Sequence, residues 1–171
     1  MARNLSASEQ LELDPEPAAG ARLIEDLSKD GDPYSQTVFF GDSLTDAGYF
    51  RPLLPPEVQP VTGQFTTNPG LVWSQYLADF YGTSAAPNGN GQSGPNYAAG
   101  AARVGVDVVN QLAFVPSLVT QMNAYLAANG GQADPDALFT AWGGANDLFL
   151  AAATPDAAQQ QAIDGGAVAA H

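Results

Sequence analysis

Apolar positions follow two rhythms along this chain, and the change from one to the other predicts its elements. Residues 35–41 contain Val38-Phe39-Phe40, an unbroken run of strand-favouring residues that stops at Gly41, the pattern of a strand covered on both faces. Leu138-Phe139-Thr140-Ala141-Trp142, within 137–142, has the same short apolar character and predicts a second buried parallel strand. Between them the period becomes helical. Val72, Trp73, Tyr76, Leu77 and Phe80 fall on one face of a helix over 70–81, opened by Asn68-Pro69-Gly70 with Asn as N-cap and Pro in the first turn. Leu118, Val119, Met122, Tyr125 and Leu126 make a second stripe over 116–129, started by Val115-Pro116-Ser117 and stopped by Gly130-Gly131. Both stripes are read as core packing. Strands alternating with amphipathic helices predict an α/β sandwich.

The rest of the chain is read by what lacks this periodicity. Residues 1–33 mix Glu, Asp, Ser, Pro and Ala with few large apolar side chains, which predicts a mobile acidic arm ahead of a domain at 34–171. Residues 51–67, rich in Pro, Gly and Gln, predict a long surface loop of the kind that walls a substrate site. Residues 82–95 are read as a loop without periodicity, and Asp134-Pro135-Asp136 as a turn.

Composition narrows the function classes. The 171 residues are 45% hydrophobic and 13% charged, enough for one domain with a real core. The net charge of −13, with eight of the 18 acidic residues inside 1–33, argues against binding nucleic acid or an anionic membrane through basic patches. There is no cysteine, hence no disulfide framework and no thiolate metal site, and no cofactor is expected. No signal-peptide core and no run of 18 apolar residues is present, so any export signal is expected to lie outside these residues.

Candidate chemistry sits where each strand ends. The first delivers Gly41-Asp42-Ser43-Leu44-Thr45-Asp46-Ala47-Gly48, placing Ser43 at a strand's carboxyl end, where ligands collect in open parallel sheets. Thr45 stands where the Gly-x-Ser-x-Gly elbow requires its last glycine. Taken alone, Ser43 could equally be a cap for a following helix. A second block, Asn96-Tyr97-Ala98-Ala99-Gly100-Ala101-Ala102-Arg103, and a third, Gly144-Ala145-Asn146-Asp147 after the second strand, follow in order.

Together these blocks resemble those of the GDSL lipases and esterases, also called SGNH hydrolases, over residues 34 to 150. The resemblance implies a flavodoxin-like three-layer α/β/α sandwich and hydrolysis of carboxylic esters. Ser43 would be the nucleophile. The Ser43 amide, the Gly100 amide and the Asn146 side chain would be the oxyanion donors, with the choice between the Gly100 and Ala101 amides open. Asp147 would orient its loop. Family members carry their general base in an Asp-x-x-His block; here the one histidine is His171, with Val168 three positions before it. The chain is therefore expected to be the N-terminal part of a longer hydrolase, with one or two edge elements missing, exposed apolar faces and a tendency to self-associate. The likeness is closest to passenger domains of bacterial autotransporter esterases, implying an extracellular or cell-surface protein with an outer-membrane translocator and a small-molecule or lipid ester substrate. Two rivals stay open: a carbohydrate O-deacetylase of the same family, and an inactive remnant retaining Ser43 without its base.

Overall fold

A computed structural model describes residues 33–66 and 70–169, with side chains to residue 166. The expected acidic arm at 1–33 lies outside the described residues apart from Pro33, and so do Asn68, Pro69 and His171. In chain order the elements are β1 (Thr37–Gly41), α1 (Trp73–Phe80), β2 (Asn88–Gly89), β3 (Gln92–Ser93), β4 (Val108–Val109), β5 (Phe114–Val115), α2 (Leu118–Ala128), β6 (Leu138–Trp142), α3 (Ala145–Ala153) and α4 (Ala157–Ala169).

β1 is the axis, and all five of its residues are buried. Successive side chains of a strand point to opposite faces. Val38 and Phe40 pack with Tyr125, Met122 and Leu126 of α2, while Phe39 packs with Trp73, Leu77 and Ala78 of α1. The two helices therefore cover opposite faces of one strand, which is the α/β/α layering. β6 pairs with β1 in parallel, from Thr37 opposite Leu138 to Gly41 opposite Trp142. On β1's other edge runs an extended segment: Phe39 N–H donates to Pro95 O (3.1 Å), Tyr97 N–H to Phe39 O (2.8 Å) and Ala99 N–H to Gly41 O (3.1 Å). Three chain segments thus run side by side, and each leads into one of the three sequence blocks.

Helix α2 follows the sequence closely. The Ser117 hydroxyl accepts from Thr120 N–H, and Gly131 N–H, in a left-handed pair with Gly130, bonds back to Leu126 O at 2.7 Å. Helix α1 departs from expectation. It begins at Trp73, with the Gln75 side chain accepting Val72 N–H at 3.1 Å, so its start lies past Asn68-Pro69-Gly70. Its inner face is also rotated: Ser74 and Ala78 are buried, whereas Tyr76 and Phe80 are exposed. Small residues win the inward positions because α1 lies close against β1 and its loop, and the Ser74 hydroxyl donates to Thr45 O at 2.8 Å.

Three further expectations are corrected. β6 was expected to be buried, yet Phe139 and Trp142 are exposed, since nothing among the described residues covers its outer edge. The 82–95 stretch is not wholly irregular: β2 and β3 form a two-residue hairpin with Asn90 (φ +50°) and Gly91 (φ +86°) at its tip, the Asn-Gly turn chemistry that matches strand twist. A second small hairpin, β4–β5, was not anticipated. Exposed apolar faces are present as expected, with Leu148 and Phe149 of α3 both more than half exposed.

Candidate active site

Beyond Gly41 the chain turns at once. Asp42 N–H still donates to Trp142 O (3.2 Å), while Asp42 O accepts Thr45 N–H and Asp46 N–H (both 3.1 Å) and Asp42 Oδ1 accepts Leu44 N–H (3.0 Å). A Cβ on Gly41 would stand 2.7 Å from Thr45 Oγ1 and 2.8 Å from Trp142 O, so the turn closes only over a glycine. Ser43 rides this turn, half-buried. The turn's base is clamped by Gln121 of α2: its Oε1 accepts Gly41 N–H (2.8 Å) and its Nε2 donates to Gly41 O and Pro116 O (both 3.0 Å).

Asp46 ties the first block to the second. One oxygen accepts Gly48 N–H (2.7 Å) and Tyr49 N–H (2.6 Å), and the other accepts Gly100 N–H at 2.8 Å. The side chain has no solvent exposure. Burial pushes its carboxyl above the ordinary aspartate value, against the pull of those N–H groups and of the Arg51 charge. Burial raises Asp42 as well, with the Leu44 N–H opposing it. Burial and then the Asp46 charge raise the Tyr49 phenol. Asn96, also without exposure, donates to Thr45 O (2.9 Å) and the Ser74 hydroxyl (3.2 Å) while accepting Ala98 N–H (3.1 Å), binding the same two blocks from below.

Of the two amides considered for the oxyanion, that of Gly100 already faces Asp46 Oδ2. The next residue, Ala101, is exposed at φ +70°, a left-handed conformation that costs a non-glycine residue about 1–2 kcal/mol. Backbone strain of this kind is retained where surrounding contacts impose it, often at functional loops.

The third block opens α3 after Gly144 (φ +101°). Asn146 Nδ2 donates to Ala102 O at 2.8 Å, which joins the third block to the second and leaves the other amide proton without a partner among the described residues. Asp147, buried, accepts Arg103 Nε–H and Val104 N–H, both at 3.0 Å. It therefore orients the loop, the role expected of it.

Thus the turn carrying Ser43 and the loops carrying Gly100 and Asn146 stand at one end of the sheet, linked pairwise by Asp46 and by Asn146 itself. Sequence reasoning singled out neither Asp46, Asn96 nor Gln121 as a tether. Asp46 and Asn96 lay inside quoted blocks, and Asx residues two before an N–H they can cap are a legible signal; a lone Gln within a helical stripe gives none. Among the described residues no group of three or more His, Asp or Glu lies close enough to hold a metal ion, and no described helix is long and apolar enough to cross a membrane.

Comparison with known proteins identifies the family. Residues 37–165 match the family model described as GDSL-like lipase/acylhydrolase. Over 132 residues the chain is 28% identical to Lipase 1 of Photorhabdus luminescens, covering 74% of this chain and 18% of that protein. The match spans the strand that leads to Ser43, the Asp46-bound loop and the turn at Asn146 alike, and on that ground the chain belongs to the GDSL-like lipase/acylhydrolase family.

Proposed function

We propose that this domain hydrolyses carboxylic esters with Ser43 as nucleophile. Its hydroxyl oxygen attacks the ester carbonyl, the alcohol departs, and water then releases the acyl group from the serine. Attack places a full negative charge on the carbonyl oxygen, and each donor already aimed at that charge is worth about 3–4 kcal/mol. The donors assigned are the Ser43 amide, the Ala101 amide and the free amide proton of Asn146. Ala101 is preferred to Gly100 because the Gly100 N–H already faces the Asp46 carboxylate. Attack also needs a proton acceptor within hydrogen-bond reach of Ser43. Asp46 has both oxygens engaged by backbone amides, and Asp42 is buried with one oxygen on Leu44 N–H, so neither is assigned that role. The family pattern gives it to the histidine of an Asp-x-x-His block, and an extracellular or cell-surface setting with an outer-membrane translocator follows the same resemblance as part of this reading.

The observation that carries the reading is the Asp46 carboxylate, which ties the backbone of the turn that carries Ser43 to that of the Gly100–Ala101 loop. The test is labelling by a fluorophosphonate probe in an esterase-active form of the protein. Ser43→Ala is expected to abolish labelling, and labelling that persists would remove Ser43 from the mechanism.

A further inference from the structure

A recess of about 210 Å³ opens beside the Gly100 loop, between Phe50, Leu54, Phe65 and Leu112 and the backbone of Thr62–Gln64. Resting on the assignment of Ser43 as nucleophile, we propose that this recess is the acyl-chain subsite, with room for an alkyl chain of several carbons.

Position argues first. A Cβ on Gly100 would stand 2.4 Å from Phe65 Cε2 and 3.3 Å from Phe50 Cε2, so two rings of the recess lie directly on the glycine that precedes the Ala101 amide. An acyl chain whose carbonyl oxygen sits at that amide has this recess beside it as apolar shelter. The floor is firm: Phe50 packs at right angles to Tyr49, ring centres 4.9 Å apart, within the cluster that includes Ala99, Ala102, Val115 and Leu118.

The walls are held as well. Arg51 Nε–H donates to Thr62 O (3.2 Å), fixing the 51–66 loop against its own start. Asn110 Oδ1 accepts Leu112 N–H (2.8 Å) and Ala113 N–H (2.9 Å), and the Tyr49 hydroxyl donates to Phe114 O (3.0 Å), fixing the β4–β5 hairpin that carries Leu112. At the mouth Phe65 and Leu112 are 53% and 55% exposed, large apolar groups bordering a cleft and left without a covering partner among the described residues.

Chemistry separates an acyl chain from a sugar ring. A sugar needs several free hydrogen-bonding groups, but the one side-chain amide in the lining, that of Gln64, already donates to Gln75 Oε1 at 2.5 Å, and the lining is otherwise mostly apolar or backbone. Size permits the chain: 210 Å³ is room for several methylene-sized groups.

The test uses 1-octanol and 1-butanol as neutral probes in calorimetric titrations of wild type, Ser43→Ala, Leu112→Asp and Leu148→Asp, alongside p-nitrophenyl octanoate and acetate hydrolysis by an esterase-active form of the protein carrying the same substitutions. A fully buried methylene strengthens binding by up to about fourfold, and a half-open recess gives about half that exponent, so octanol should bind at least about tenfold more tightly than butanol. That preference should survive in Ser43→Ala and Leu148→Asp and fall at least about tenfold in Leu112→Asp, together with the octanoate-to-acetate ratio of kcat/KM. Equal octanol binding by wild type and Leu112→Asp, or no preference for octanol over butanol, overturns the proposal. Leu112-dependent octanol binding with esterase activity that Ser43→Ala leaves intact supports the recess and overturns the mechanism instead, whereas Ser43-dependent hydrolysis with a chain-length ratio indifferent to Leu112 does the reverse.

Discussion

Asp46→Asn separates two effects that meet in one buried carboxylate. The wild-type group accepts three backbone N–H groups, two on Oδ1 and that of Gly100 on Oδ2. In the amide, one oxygen can keep Gly48 and Tyr49, but its NH₂ then meets the Gly100 N–H donor against donor. An orphaned buried donor costs about 1–3 kcal/mol, and loss of charge from the two surviving bonds adds about 1 kcal/mol. Removing a buried charge works the other way, because burial holds this carboxyl above its ordinary value. The hydrogen-bond loss is the larger, and a net destabilisation of about 2 kcal/mol is expected, a fall of about 4–8 °C in Tm for a chain of this length. Thermal and urea unfolding of both chains measure it. The pH dependence supplies the sign. With the folded pKa raised, the folded state binds more protons than the unfolded state at pH values between the two, so wild-type stability falls as pH rises through that window. The asparagine chain lacks this slope, so the gap should be wider at pH 4.5 than at pH 7. An Asp46→Asn chain as stable as wild type would refute the reasoning, showing that charge burial outweighs the tether.

Three other outcomes follow from the same geometry. Gln121→Leu leaves Gly41 N–H and Pro116 O without this partner and Gly41 O with the Ala99 N–H alone and should cost about 2 kcal/mol or more in urea unfolding; a loss below about 1 kcal/mol would mean water replaces the side chain. In an esterase-active form of the protein, Asn146→Ala should lower kcat on a short-chain p-nitrophenyl ester by about 10²–10³ with little change in KM, and an unchanged kcat would reduce Asn146 to the Ala102 tie. Losing the histidine of a serine triad costs on the order of 10⁶ in kcat, so the 171-residue chain should hydrolyse p-nitrophenyl butyrate barely faster than buffer, with no change in His171→Ala; robust turnover lost in His171→Ala would show that histidine serving Ser43.

What the sequence made legible was local. Val38-Phe39-Phe40 before Gly41 gave β1 because three large apolar residues in a row need cover on both faces, which α1 and α2 provide. Ser117 and Gly130-Gly131 marked both ends of α2 because caps act within a turn of the residues that name them. The α1 stripe is only partly the inner face, with Val72, Trp73 and Leu77 packed inward and Tyr76 and Phe80 exposed, for the converse reason. Aromatic residues at helical spacing say how much area a helix could bury, but how near the helix lies to its sheet decides which residues fit inside, and here Ser74 and Ala78 take those places. Of the candidate site, the blocks were readable, while the side chains that join them were not. Gln121 meets Gly41 across 80 residues and Asp46 meets Gly100 across 54, and no period in the sequence encodes such a meeting.

In this acidic chain, carboxylates stand beside every block, and adjacency alone would make each a candidate acid or base. Their hydrogen bonds decide otherwise. A general base must present a lone pair to the substrate's proton, whereas Asp46 and Asp147 are buried, the first with its oxygens turned to Gly48, Tyr49 and Gly100 and the second to Arg103 and Val104. Each holds a loop by accepting backbone N–H groups that a turn leaves unpaired, and a carboxylate is suited to this because it accepts without donating. The same logic explains why Ala101 can sit in a left-handed conformation. Its neighbours on both sides are fastened, Gly100 to Asp46 and Ala102 to Ala99 O and Asn146, so the strain at φ +70° has nowhere to relax. Buried acids fasten the loops of all three blocks in this fold, and the ester hydrolysis proposed above leaves the acid–base work to a group outside that framework.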